Sequence, residues 1–258
     1  MLIRNNNIGG IMFKKGINLL VLGVFCLVIT GCGTTAKFIY PSNMSNLVQL
    51  APKPITDKTI AVLPFEDFRD DDNSNYLALY LIPLFPSYGY CTYTRPEAAM
   101  GGFPSIFMFQ CNVSEDLAKA SAMSLRRSNL FRNAAFSFGE LEARSDFEFI
   151  GSVNEFFYKG RIFAYGLSVY GPLLWLLGAP VATSLNRVNI TFKLRDSKTK
   201  EILWDYNFEK EIWFNQWLYS RMGRDVVSFA KLYEEGMNKS ILDLQKQMGE
   251  DPKKFGLE

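Results

Sequence analysis

IFAYGLSVYGPLLWLLGAPVATSLN, residues 162–186, is a stretch of 25 residues without a charge, closed at its two ends by Arg161 and Arg187. Its length passes the threshold of about 18 apolar residues at which a membrane-spanning helix becomes a candidate. Ten Leu, Ile, Phe and Val residues at roughly −0.5 kcal/mol each favour insertion by about 5 kcal/mol, which three glycines, two prolines and several polar side chains largely offset. The finer pattern has period two. Phe163, Tyr165, Leu167 and Val169 alternate with Ala164, Gly166 and Ser168, and Val181, Thr183 and Leu185 alternate again, which is a strand signal. The stretch therefore predicts the end of a long β-hairpin, with residues 171–180 as an apolar tip. Leu173, Leu174, Trp175, Leu176 and Leu177 are the candidate contact residues for a bilayer or a partner. Burial of the tip against its own domain, under the excursion at 76–112, and a helical span are the other readings.

The flanking sequence supplies the arms. Phe147, Phe149, Gly151, Val153 and Phe157 alternate with Asp146, Glu148, Ser152 and Asn154, and only Glu155 breaks the rule. Val188, Ile190, Phe192 and Leu194 alternate with Arg187, Asn189, Thr191, Lys193 and Arg195, a half-buried strand. Residues 197–200 turn the chain, and Ile202, Trp204, Tyr206 and Phe208 return as an antiparallel partner. Upstream, TIAVLPF at 59–65 suits a covered central strand that Pro64 ends. A helix follows from a Ser114 cap, with Leu117, Ala118, Ser121, Ala122, Leu125 and Ser128 on its buried side, and a strand is expected near 134–138. Val226, Phe229, Ala230, Tyr233, Met237, Ile241, Leu244 and Met248 mark a second helix. Trp213 and Trp217 read as packing anchors rather than a sugar platform. The fold class is α/β (α+β): a two-layer domain, a mixed sheet with two main helices on one face and a protruding long β-hairpin.

TIAVLPFED at 59–67 with its helix resembles the opening of the domain shared by curli-secretion-channel lipoproteins, penicillin-binding-protein-activator lipoproteins and the N-terminal domain of the Tol-Pal propeller protein. RDSKTKEILW at 195–204 is similar to a hairpin turn of many bacterial lipoproteins. The resemblance covers residues 55–250 in outline and implies an envelope compartment and a binding, scaffolding or channel-forming role; it carries over no catalytic residue.

The N-terminal MFKKGINLLVLGVFCLVITGC places Lys14 and Lys15 before an uncharged run too short to span a bilayer, an export signal. Its end, Ile29-Thr30-Gly31-Cys32, looks like the bacterial lipobox. Cys32 is thus the expected lipid attachment site and mature N-terminus, and acyl chains there would hold the protein to a membrane. Gly33 after it resembles the outer-membrane sorting signal of Gram-negative lipoproteins. Translation starts at Met1 or Met12. The organisation expected is a signal peptide at 1–31, a lipidated tether at 32–58, one domain at 59–250 with an insert at 68–112 and the apolar hairpin at 159–186, and a tail at 251–258.

Loss of the leader leaves 25 basic against 26 acidic residues, a charge of −1, so nothing suggests nucleic acid. The chain has no histidine, which removes Ser-His-Asp and Cys-His chemistry and HExxH metal sites. The acidic stretch at 66–75 has the spacing of a calcium loop only in part, because Tyr76 stands where glycine is required and Ile82 where glutamate is. No metal, cofactor or catalytic residue is expected. Cys91 and Cys111 are expected to pair in an oxidising compartment, a loop worth roughly 3 kcal/mol, with two free thiols as the alternative. The function expected is a non-enzymatic envelope lipoprotein that binds or scaffolds an envelope component or itself. The alternatives are an oligomeric outer-membrane pore or secretion-channel subunit, or an accessory lipoprotein of an envelope lipid transporter.

Overall fold

The computed structural model describes residues 34–84, 87–98, 107–139, 145–222 and 225–257. The export signal and Cys32 lie outside the described residues. In chain order the elements are β1 (Thr34–Lys37), β2 (Thr59–Val62), β3 (Glu66–Asp67), β4 (Asn73–Tyr76), β5 (Tyr88–Tyr93) and β6 (Phe107–Gln110). Helix α1 (Val113–Ser128) follows, then β7 (Asn133–Phe136), β8 (Phe147–Phe163), the short helix α2 (Gly171–Leu176), β9 (Pro180–Asp196), β10 (Ile202–Trp217) and α3 (Ser228–Glu250).

The sheet order is β10-β9-β8-β2-β7, antiparallel through β8–β10 and parallel where β2 lies between β8 and β7. This is the mixed α/β sheet that the sequence predicts. At 17, 17 and 16 residues, β8, β9 and β10 are about three times the common strand length of 5–6 residues. β8 and β9 pair from Phe147↔Asp196 to Ile162↔Ala182, so the uncharged stretch holds two strand ends and the cap that joins them. Among the described residues no helix is long and apolar enough to cross a membrane.

Glu155 breaks the alternation because the register shifts between Val153 and Glu155. One extra residue there is a β-bulge, and it exchanges the faces of everything beyond it. Phe147, Phe149 and Val153 are buried before the bulge, and Phe156 after it. Phe157, expected on the buried side, instead lies under the Arg187 guanidinium, 5.8 Å from its ring centroid. The face away from the helices is polar: Asn154 donates to Asn189 and Thr191, and Thr191 donates to Asn207. Arg187 bridges Glu155 and Glu211 across three strands.

Both helices cover the opposite face. α1 begins at Asn112, whose side chain accepts the Glu115 N–H; Ser114, expected as the cap, donates instead to the Phe65 carbonyl at 2.6 Å. Its buried side is mostly Ala and Ser, which lets α3 approach closely enough for the Tyr233 hydroxyl to donate to the Leu117 carbonyl at 2.8 Å and to meet Ser121 Oγ at 2.6 Å. Burial pushes that phenol well above its ordinary pKa. Phe156 and Phe229 stack at 4.2 Å, and Phe192 packs edge-on to Tyr233.

Much of the expected tether belongs to this layer. Tyr40 meets the Tyr233 ring, Ser42 donates to Glu234, and Val48 N–H donates to Asn238 Oδ1. These contacts advance along α3 with the chain, so residues 40–48 run in the same direction as the helix. At the other terminus, Phe255 in the expected tail is buried in the core.

Candidate membrane or partner contact site

Beyond the helices, the ends of the long strands carry a second, smaller core of Leu77, Tyr80, Cys91, Tyr93, Ile162, Ala164, Trp175 and Val181. β5 adds to the β8 edge from Tyr88↔Phe163 to Tyr93↔Tyr158, and β4 pairs with β5. The 68–112 insert therefore widens the sheet where the hairpin leaves the helices. A 3-10 turn at Leu77–Leu81 closes over it. That turn lies so near β5 that a Cβ on Gly89 would come within 2.1 Å of the Leu77 carbonyl oxygen.

The tip is helical rather than extended. Tyr165 (φ 57°), Gly166 (φ 74°) and Ser168 (φ 52°) take left-handed backbone conformations that end the period-two pattern. Pro172, at the start of α2, fits the first helical turn, where its missing N–H costs no hydrogen bond. Gly171 lies against Ala164, with room for no side chain: a Cβ would sit 2.8 Å from the Ala164 backbone. Trp175 points inward and donates its indole N–H to the Phe163 carbonyl at 2.9 Å.

The five expected contact residues thus divide. Trp175 is buried and Leu174 partly so. Leu173, Leu176 and Leu177 are 57%, 55% and 83% exposed. Sequence reasoning missed their neighbours Leu81, Ile82 and Leu84, exposed on the insert and fastened to the tip by Leu84 N–H donating to the Gly166 carbonyl and Ser168 Oγ donating to the Leu81 carbonyl. Leu167, Val169, Tyr170 and Tyr219 are exposed as well. The signal for the insert's share was in the sequence, since residues 76–90 are uncharged like residues 162–186.

A polar cluster marks the border between the two cores. Tyr158 and Gln216 donate to Asp225 Oδ2 at 2.7 and 2.9 Å, and Asn186 donates to the Asp225 carbonyl and to Ser228 Oγ. The start of α3 is thereby tied to all three long strands. A second cluster fastens the insert: buried Arg69 makes a two-point contact with Asp67 at 2.8 and 2.9 Å and donates to Glu97 at 2.5 Å. The hydrogen bond from Arg69 holds the Asp67 carboxyl below its ordinary pKa against the opposing effect of burial. Buried Glu148 accepts from Arg195 and Lys200. Each of these charges is spent on holding one element to another.

Cys91 and Cys111 are free thiols. Cys91 belongs to the distal core, whereas Cys111 packs against the main one ahead of α1, so the expected disulfide is not formed. Burial pushes the Cys91 thiol up to about 11 and the Cys111 thiol higher. Trp213, expected as a packing anchor, is 61% exposed on the edge strand.

No protein-family model matches the chain, and no curated protein matches it. Its fold is similar to that of a DUF330-family protein from Xanthomonas campestris (10% identity, TM-score 0.44), over 80% of this chain and 95% of that one. It is also similar to PelC from Paraburkholderia phytofirmans, crystallised as a dodecamer, in one structure (12% identity, TM-score 0.37, over 77% and 94% of the two chains) and in that of a point-substituted variant (12%, 0.38, over 77% and 93%). At TM-scores below 0.5 these likenesses carry no argument about function.

Proposed function

We propose that the protein is a non-enzymatic lipoprotein of the bacterial cell envelope, anchored through acyl chains on Cys32 and most at home on the periplasmic face of the outer membrane. Its task in this reading is to bind or scaffold another envelope component through the hairpin end. The observation that carries the proposal is the exposure of Leu84, Leu173, Leu176 and Leu177 at the hairpin end, while Phe149, Phe156, Phe192, Phe229 and Tyr233 are buried in the main core. Exposed apolar patches of this kind mark contact surfaces. The buried ionisable groups support a binding role over a catalytic one, because Arg69, Glu148 and Asp225 are each engaged by structural partners.

The test is metabolic labelling with a fatty acid followed by fractionation. The wild type should carry label and sediment with outer membranes, and Cys32→Ala should lose the label and accumulate as precursor. Label retained on Cys32→Ala would overturn the anchor. Photocrosslinkers at Leu173 and Leu177 should capture an envelope component, while one at Asn207, on the polar face, should not.

A further inference from the structure

We infer that the hairpin end enters a lipid bilayer, as a second membrane contact beside the N-terminal lipid; the inference rests on the proposed envelope reading and names what the apolar surface meets. The first support is composition. Leu84, Leu173, Leu176 and Leu177 are exposed, as are Tyr165, Tyr170 and Tyr219, the last bonded to the Leu176 carbonyl. Lys159 and Arg161 follow on β8, with Arg161 over the Tyr88 ring at 5.5 Å. Exposed leucines, tyrosines and basic residues together are the side chains that a membrane interface accepts.

The second is charge. The described residues of this end, 73–84, 87–96, 156–186 and 212–222, contain no Asp or Glu, although the chain has 26 of them. Their charges are all basic, Lys159, Arg161 and Arg221 among them, a complement to anionic headgroups.

The third is the treatment of the backbone. Hydrocarbon tolerates exposed peptide groups only when they are already hydrogen-bonded. Tyr165 donates its hydroxyl to the Pro180 carbonyl at 2.5 Å, Tyr219 to the Leu176 carbonyl at 3.1 Å, and Ser168 to the Leu81 carbonyl. Three hydroxyls are thus turned inward onto carbonyls of the tip and the insert, so the surface keeps its apolar side chains outward.

The fourth is direction. The chain enters the fold at the end of α3 that faces the hairpin: residues 40–48 advance with α3, whose first residue, Ser228, is held by Asn186 on β9. An acyl anchor upstream of that entry would favour a bilayer on the hairpin side, where the tip would dip roughly 5–10 Å into the headgroup region.

The experiment uses the full lipidated chain in vesicles of phosphatidylethanolamine and phosphatidylglycerol, with an environment-sensitive dye on Leu177→Cys and, separately, on Leu173→Cys and Asn207→Cys. Cys91 is buried and Cys111 half-buried, and both are replaced by serine so that the introduced thiol takes the dye. At 177 and 173 the emission should shift to the blue and be largely lost when the acyl chains carry bromine; at 207 neither should occur. Solvent-like emission at 177 and 173 would overturn the inference. So would a blue shift seen in native membranes but not in pure lipid, which would make the occupant a protein and leave the proposed function standing. Failure of the anchor itself reads out separately, as a chain without fatty-acid label whose tip is still quenched.

Discussion

The same three strands carry two different interiors. Near the β9–β10 turn they are backed by α1 and α3, and the result is a wide aromatic core in which Phe149, Phe156, Phe192, Phe229 and Tyr233 are almost wholly buried. Toward the hairpin end they are backed by one 3-10 turn and one Trp, and apolar side chains face outward. A strand pair fixes its own hydrogen bonds wherever it goes, so the difference lies in what covers it. The helical end is arranged for stability, and the distal end turns apolar side chains outward, where the proposed contact would lie.

This contrast can be broken by mutation. Phe229→Ala removes a ring stacked on Phe156 at 4.2 Å and should cost about 3–5 kcal/mol, read as a lower urea midpoint for the whole chain. Gly89→Ala should cost about 1–3 kcal/mol by pushing the 77–81 turn off β5. Hydrogen exchange should then quicken at Ile162 and Ala164 while Ile190 and Phe192 keep their protection; loss of protection in both places would mean that the two cores are one. Leu177→Ala, at 83% exposure, should change stability by no more than about 0.5 kcal/mol.

Acid sharpens the same comparison at the insert. The Asp67 carboxyl, held below 3.8 by its hydrogen bond from Arg69, contributes stability that is present above the unfolded value and lost as pH falls through the lower folded one. Its NMR titration midpoint should lie below 3.8 and move up toward it in Arg69→Gln. Because Asp67 is partly exposed, the effect on the whole fold is small beside that of Phe229→Ala.

The helical end is the more legible in the sequence. Val188, Ile190, Phe192 and Leu194 on β9, and Phe229, Tyr233, Met237, Ile241 and Leu244 on α3, declare their faces by spacing alone, and the structure buries each of them. Spacing misplaces Phe157 because a bulge conserves composition while exchanging faces, and the only trace it leaves is Glu155 out of turn. At the distal end, period two at 163–169 predicts extended chain, but left-handed residues at 165, 166 and 168 turn it aside, a choice made by packing on the insert. The pairing of Cys91 with Cys111 fails for a like reason: sequence separation does not say which core a side chain joins. Nor does spacing reveal that Leu77 and Tyr80 join Ile162, Trp175 and Val181, far apart in the chain, in one distal core.

The most direct test is a paired accessibility measurement in cells, with Leu177→Cys and Lys198→Cys each probed by a membrane-impermeant maleimide once the outer membrane has been opened. Lys198 lies in the exposed turn at the opposite end of β9. The account predicts that position 198 reacts at once, and that position 177 stays protected until detergent dissolves the membranes and then reacts as fast as 198. Equal labelling of both before detergent would show a bare hairpin end and contradict the account, as would labelling of 198 only after the inner membrane is broken.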